Sequence, residues 1–144
     1  MKKFKCPKCA SFGVIDDLKY AGTKVKISCK QCSQSIILNF GPRLIVTYNN
    51  VPKEYPITFG ETFIGRKCDG IPSSIQLDDK YISRLHGKIE LIQNEGNRIM
   101  YYTDLKSTNG TYTISKQRIQ QNKKILIKPN DCLIVGLSKI KFIY

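Results

Sequence analysis

With 144 residues, 41% of them hydrophobic, the chain can bury one ordinary core with a small stapled unit beside it, and wholesale disorder is excluded. Lys and Arg number 24 against 11 Asp and Glu, a formal charge of +13, which favours anionic partners such as phosphoprotein or nucleic acid without choosing between them. The longest apolar runs, such as Leu133-Ile134-Val135, are far too short to span a bilayer, so no membrane association is expected.

Met1-Lys2-Lys3-Phe4-Lys5 imitates the basic start of a secretory signal, but Cys6, Pro7 and Lys8 stand where its apolar segment would follow. A soluble, cytoplasmic protein is expected. In that reducing setting the six cysteines favour metal over disulfide. Residues 1–40 carry eight lysines and two aspartates, and Phe4, Phe12, Val14, Val25 and Ile27 are about all they could bury. So few groups do not hold such a segment together without a staple.

Cys6-Pro7-Lys8-Cys9 and Cys29-Lys30-Gln31-Cys32 offer one, as C-x2-C pairs separated by 19 residues. Two residues between thiolates let both sulfurs converge on one ion from a tight turn, and two such turns complete the tetrahedron that zinc prefers. With all four positions filled by protein, a single Zn²⁺ would be structural and its binding would supply folding energy. Two disulfides or a redox-active C-x-x-C are the alternatives. The segment also resembles the short prokaryotic zinc ribbon, in which C-P-x-C precedes an aromatic-then-Val strand, here Phe12-Gly13-Val14. A basic strand then leads to the second pair, here Lys24-Val25-Lys26-Ile27. Ala10 and Ser33 replace the glycine usual after each pair. Cys68 and Cys132 lack partners at metal spacing. Cys132 reads as a small core residue and Cys68 as a loop thiol.

Gly41-Pro42 marks a boundary, giving a ribbon over 1–40 and a second domain over 41–144. The second domain alternates short β-like runs with turns. They are Leu44–Tyr48, Tyr55–Thr58, Thr62–Gly65, Ser74–Leu77, Lys88–Ile92, Arg98–Asp104, Thr111–Ser115, Lys124–Ile127, Asp131–Leu137 and Lys139–Tyr144. Ile89 and Leu91 alternate with Lys88 and Glu90, and Ile140, Phe142 and Tyr144 alternate with Lys139 and Lys141. An all-β antiparallel sandwich follows.

Three clusters at strand ends carry the chemistry: Gly65-Arg66, Ser83-Arg84-Leu85-His86 and Ser107-Thr108-Asn109-Gly110. They offer a guanidinium fork that matches phosphate oxygens, two hydroxyl donors, and an amide that can bind a peptide backbone or pin its own loop. His86 is the only histidine, and no orienting acid stands beside it; the neighbouring Asp78-Asp79 reads as a solvated turn. No Walker loop, G-x-S-x-G or kinase signature is present, so no catalytic residue is assigned and an enzyme is not expected.

In order and context these clusters resemble the forkhead-associated (FHA) family, whose signature runs Gly-Arg, Ser-Arg-x-His, then Asp-Leu-x-Ser-Thr-Asn-Gly-Thr. The chain has Phe63-Ile64-Gly65-Arg66, Ser83-Arg84-Leu85-His86 and Asp104-Leu105-Lys106-Ser107-Thr108-Asn109-Gly110-Thr111, closing with Asn130-Asp131 and Leu133-Ile134-Val135-Gly136. The resemblance implies an 11-stranded sandwich whose loops bind phosphothreonine peptides, in Ser/Thr kinase-linked signalling. Carried over by position, Arg66, Ser83 and Thr108 would grip the phosphate, Arg84 would assist, Lys106 would add charge at the rim and Asn109 would hold the peptide backbone. Gly65, His86 and Gly110 would brace the loops. The departures are Asn130 for a glycine and Ser115-Lys116 where a second Asn-Gly is common.

The alternative is nucleic-acid binding through the ribbon's Lys2, Lys3, Lys5, Lys8, Lys19, Lys24, Lys26 and Lys30. A solvated basic surface is preferred, because no aromatic stacking platform is expected among them.

Overall fold

A computed structural model of the chain describes residues 1–16, 19–20, 24–70 and 73–144. It forms two compact units, Met1–Gly41 and Pro42–Tyr144, and all regular elements among the described residues are strands.

In the first unit β1 (Lys2–Lys5) pairs with β2 (Phe12–Ile15), and β3 (Lys24–Ser28) with β4 (Ser35–Asn39), both antiparallel. Cys6, Cys29 and Ile36 are buried together, with Phe4, Ile27, Cys32 and Leu38 packed against them. Phe12 and Val14, expected in this core, are instead 75% and 55% exposed. Strand alternation is the reason. Phe4 shares its face with Gly13, where an added Cβ would come within 2.2 Å of the Phe4 ring, and Phe12 and Val14 fall on the opposite face.

The second unit is a sandwich of two five-stranded sheets. Its strands are β5 (Arg43–Tyr48), β6 (Val51–Pro56), β7 (Gly60–Arg66), β8 (Ile75–Leu77), β9 (Gly87–Asn94), β10 (Asn97–Asp104), β11 (Thr111–Thr113), β12 (Ile125–Ile127), β13 (Cys132–Val135) and β14 (Ser138–Ile143). One sheet has the order β12-β10-β9-β7-β8, the other β11-β13-β14-β5-β6, and only β7–β8 is parallel. Between them lie Leu44, Val46, Ile64, Ile89, Leu91, Met100, Tyr102, Val135, Ile140 and Phe142, each from the inward position of a period-two strand. Tyr102 and Phe142 meet edge to face at 6.2 Å.

Nine of the ten expected strands in this unit are present with ends moved by two residues or fewer. The exception is Tyr55–Thr58: the strand there is β6, which starts at Val51. Asn49 and Asn50 both adopt positive φ (51° and 60°), the two-residue turn that suits a right-twisted hairpin, and Tyr48 pairs with Val51 across it. Pro52 and Pro56 are tolerated because β6 is an edge strand. The eleventh strand is reduced to one bridge, Tyr112–Arg118, flanked by Thr113 N–H to Gln117 C=O and Ile119 N–H to Thr111 C=O, both 2.9 Å. Cys132, read as a core residue, is half-buried on the outward face of β13, since Leu133 and Val135 take the inward positions.

Candidate functional site

Arg66 closes β7, and Gly65 before it lets the strand touch the next loop. A Cβ on Gly65 would fall 1.8 Å from the Arg84 carbonyl oxygen, to which Ser73 Oγ donates at 2.9 Å. The Arg66 N–H donates to the Ser83 carbonyl and the His86 N–H to the Ile64 carbonyl, both 2.9 Å, so residues 83–86 are stitched along the end of β7. The guanidinium reaches over to donate from Nη1 to the Lys80 carbonyl at 3.2 Å.

His86 is fully buried and tied on both ring nitrogens. The Ser83 N–H donates to Nδ1 at 3.1 Å, so the proton of the neutral ring sits on Nε2, which faces the Gly110 carbonyl at 3.1 Å and Thr111 Oγ1 at 3.2 Å. Burial lowers its pKa, against the opposing pull of Asp104, whose Oδ2 is 3.7 Å from Nε2. Burial works to raise the Asp104 pKa, but hydrogen bonds from Ser107 and Thr111 outweigh it and hold the carboxyl below its ordinary value. Those bonds are Ser107 Oγ at 2.6 Å, Thr111 Oγ1 at 2.7 Å and the Ser107 N–H at 2.9 Å. Tyr102 OH completes the chain, 3.1 Å from Thr111 Oγ1, and burial pushes its phenol well above the ordinary value.

This network holds the third cluster against the second. The Thr108 N–H donates to Ser83 Oγ at 3.0 Å, leaving the Ser83 hydroxyl proton free to turn outward. Asn109 Nδ2 donates to the Tyr81 carbonyl at 2.9 Å, so one N–H of this amide pins its own loop. Gly110 has φ +81°, and a Cβ there would meet the Arg118 guanidinium at 2.6 Å from Nε.

Arg66, Ser83, Arg84, Thr108 and Asn109 thus line one cleft of about 270 Å³, together with Lys80, Tyr81 and Ile82. Lys106 stands on the same loop at φ 57° but outside the lining. Lys80 and Tyr81 are residues that sequence reasoning missed; neither belongs to a motif, and only their position just before Ser83 could have pointed to them. Asp79, read as part of a solvated turn, is buried and anchors this loop. It accepts from the Tyr81 N–H at 3.0 Å, the Leu137 N–H at 2.6 Å and Ser138 Oγ at 2.8 Å. Its neighbour Asp78 is exposed.

Among the described residues, three cations and no carboxylate line the cleft, so it suits an anion with several oxygen acceptors. It is not arranged for nucleophilic catalysis by Ser83, because the His86 Nδ1 lone pair is taken by the Ser83 backbone N–H and not by its hydroxyl.

In the first unit the thiols of Cys6, Cys9, Cys29 and Cys32 all lie within 4.8 Å of one another, with Cys6–Cys32 and Cys9–Cys29 at 3.6 Å. A tetrahedron of thiolates with bonds of about 2.3 Å has edges near 3.8 Å, so the four sulfurs fit one metal ion. The two knuckles repeat each other. Cys6 N–H bonds Ser11 C=O at 2.8 Å and Cys29 N–H bonds Gln34 C=O at 2.8 Å, while Ala10 and Ser33 donate back to Cys6 and Cys29. Ser11 Oγ lies 3.0 Å from Cys9 Sγ and 3.3 Å from Cys29 Sγ. Its hydroxyl lowers the pKa of Cys9 and, with backbone N–H groups, that of Cys29 to about 6. On Cys32 a backbone hydrogen bond from Gln34 pulls the other way, but burial and the neighbouring thiols push it up to about 11. Outside this cluster, no aromatic stacking platform is expected among the lysines of this unit, but one exposed ring does stand beside them. Phe12 projects there, with Lys5 Nζ 5.9 Å from its ring centre.

The FHA domain family model matches residues 62–136, more than half of the chain. The crystal structure of full-length yeast Pml1p superposes with a TM-score of 0.62 at 22% identity, covering 71% of this chain and 80% of that one. The FHA domain of the CT664 protein from Chlamydia trachomatis gives 0.58 at 25% identity, covering 72% and 96%. The MEK1 FHA domain, solved in complex with a phosphothreonine peptide of HOP1, gives 0.58 at 24% identity, covering 71% and 94%. No curated protein matches.

Proposed function

The chain belongs to the FHA domain family, and we propose on that premise that it is a phosphothreonine-dependent interaction module and not an enzyme. The observation that carries this is the convergence of Arg66, Ser83, Arg84, Thr108 and Asn109, from three separate loops, on one cleft without a carboxylate. Arg66, Ser83 and Thr108 hold the phosphate, Arg84 adds charge, Lys106 contributes at longer range from the rim, and Asn109 engages the peptide. Gly65, His86 and Gly110 keep the loops in place. The partner is a phosphoprotein marked by a Ser/Thr kinase, met in the cytoplasm.

A phosphothreonine carries about −1.5 to −2 charges at neutral pH. Each hydrogen bond to so charged a group contributes about 1.5–3 kcal/mol. Titration calorimetry with a phosphothreonine peptide library tests the reading. Arg66→Ala lowers affinity by about one to two orders of magnitude at unchanged thermal stability, and unchanged affinity would refute the site. A glutamate peptide, with one charge on a flat carboxylate, fails to replace the phosphopeptide.

The first unit, residues 1–40, is a zinc ribbon in this proposal, with one structural Zn²⁺ on Cys6, Cys9, Cys29 and Cys32. The sulfur spacing and the all-thiolate donor set support zinc. Metal analysis of the purified protein, with Cys29→Ser as the comparison, tests it. One equivalent of zinc is expected, lost in the variant.

A further inference from the structure

We propose that the outward face of the β1–β2 hairpin, with the groove beside it, binds single-stranded nucleic acid. The pairing register sets Lys5 beside Phe12 and Lys3 beside Val14, and alternation turns all four to the side away from Phe4 and the cysteine cluster. Two lysines on one strand thus flank two exposed apolar side chains on the other. A ring as exposed as Phe12 gains little from the fold beyond its contact with Lys5.

What would gain from it is a planar, unstacked partner. The groove beside this face, about 490 Å³, runs from Phe12 and Val14 round to the inward-facing Phe4, Gly13, Ile27 and Cys29, with Ser11, Ser28, Lys30 and Gln31 supplying polar atoms. A nucleobase can lie on the Phe12 ring while its edge meets polar side chains, which is how sequence-tolerant single-strand binding works. The lysines supply the matching field. The only acidic residues in this unit are Asp16 and Asp17, beyond the end of β2, against eight lysines. Phosphates following the strand meet Lys3 and Lys5, and their released counterions make the binding salt-dependent. A duplex is disfavoured because its bases are already stacked and leave Phe12 without a partner. An anionic membrane is disfavoured because Phe12 and Val14 alone, set between lysines, give too little contiguous apolar area to insert.

The proposal is independent of the phosphopeptide cleft, whose residues all lie beyond Gly41. Fluorescence anisotropy of labelled oligo(dT) and oligo(U) with the full, metal-loaded chain tests it, beside a matched duplex and phosphatidylserine vesicles. Single strands bind more tightly than the duplex, and the affinity falls with salt. Phe12→Ala weakens it about tenfold while Phe12→Tyr retains it. The paired substitution Lys3→Glu and Lys5→Glu abolishes it, and metal content stays constant in all three. No single-strand binding at low salt, equal binding by Phe12→Ala, preference for the duplex, or binding to vesicles alone would each overturn the proposal.

Discussion

The cleft depends on residues that never touch its contents. Gly65 is the sharpest case, because the atom its Cβ would strike is a backbone oxygen fixed from the other side by Ser73. No rotamer change relieves such a clash. Gly65→Ala is therefore expected to destabilise the sandwich by about 3 kcal/mol or more in urea titrations. It should also weaken phosphopeptide binding more than its loss of stability accounts for, since the Arg84 loop must move. His86 acts through charge. Its pKa is lowered on folding, chiefly by burial, so the unfolded chain takes up a proton first as pH falls. The stability His86 contributes is whole above its unfolded pKa of about 6.5 and is lost as pH drops through the folded value. Thermal midpoints measured without peptide should fall steadily from pH 7.5 towards pH 5. His86→Gln, though less stable at neutral pH, should show a flatter profile over that range.

At the scale of elements the two knuckles and the sandwich strands contrast in how openly the sequence displays them. The C-x2-C pairs announce their turns, yet Ala10 and Ser33 hold φ at 60° where glycine would sit without strain. Ala10→Gly and Ser33→Gly should each stabilise the ribbon by about 0.5–1 kcal/mol, after glycine's own entropic cost. A later midpoint in a chelator titration reads this out, and an earlier one would mean the strain is not there. In the sandwich, alternation at Ile89-Leu91 and Ile140-Phe142 suffices to locate strand and inward face, because one face of each is dry. It fails at β6, where an exposed edge strand with two prolines has no buried face to reveal it. It fails also at Phe12 and Val14, since alternation names two faces but not which one meets the cysteines. Arg66, Ser83, Arg84, Thr108 and Asn109 are legible because loop motifs fix their spacing, whereas Lys80 and Tyr81, in no motif, are not. Nor is Asp79, because its partners Leu137 and Ser138 lie 58 and 59 positions away in sequence.

Across the whole molecule the two units are stabilised by different means, and their responses to chelation should separate. Among the described residues, the sandwich rests on sixteen buried core side chains. The first unit has Ile36 and two cysteines at its centre, with Phe4, Ile27, Cys32 and Leu38 around them. Apolar burial on that scale does not offset the conformational entropy of ordering the described residues of this unit, at roughly 1.5 kcal/mol each. In the zinc reading proposed above, the ion would supply folding energy that this burial lacks, since structural zinc sites of this type contribute about 10–16 kcal/mol at neutral pH. Removing zinc with a strong chelator should unfold residues 1–41 and leave 42–144 folded. Amide exchange would report this as lost protection over β1–β4 and kept protection over β9, β10 and β14. Phosphopeptide affinity should survive the treatment, because Arg66, Ser83, Thr108 and Asn109 are positioned from within the second unit. Oligonucleotide binding should vanish with the metal, because Phe12, Lys3 and Lys5 share a face only while β1 and β2 stay paired. Loss of both activities together would mean that the sandwich does not hold its cleft alone.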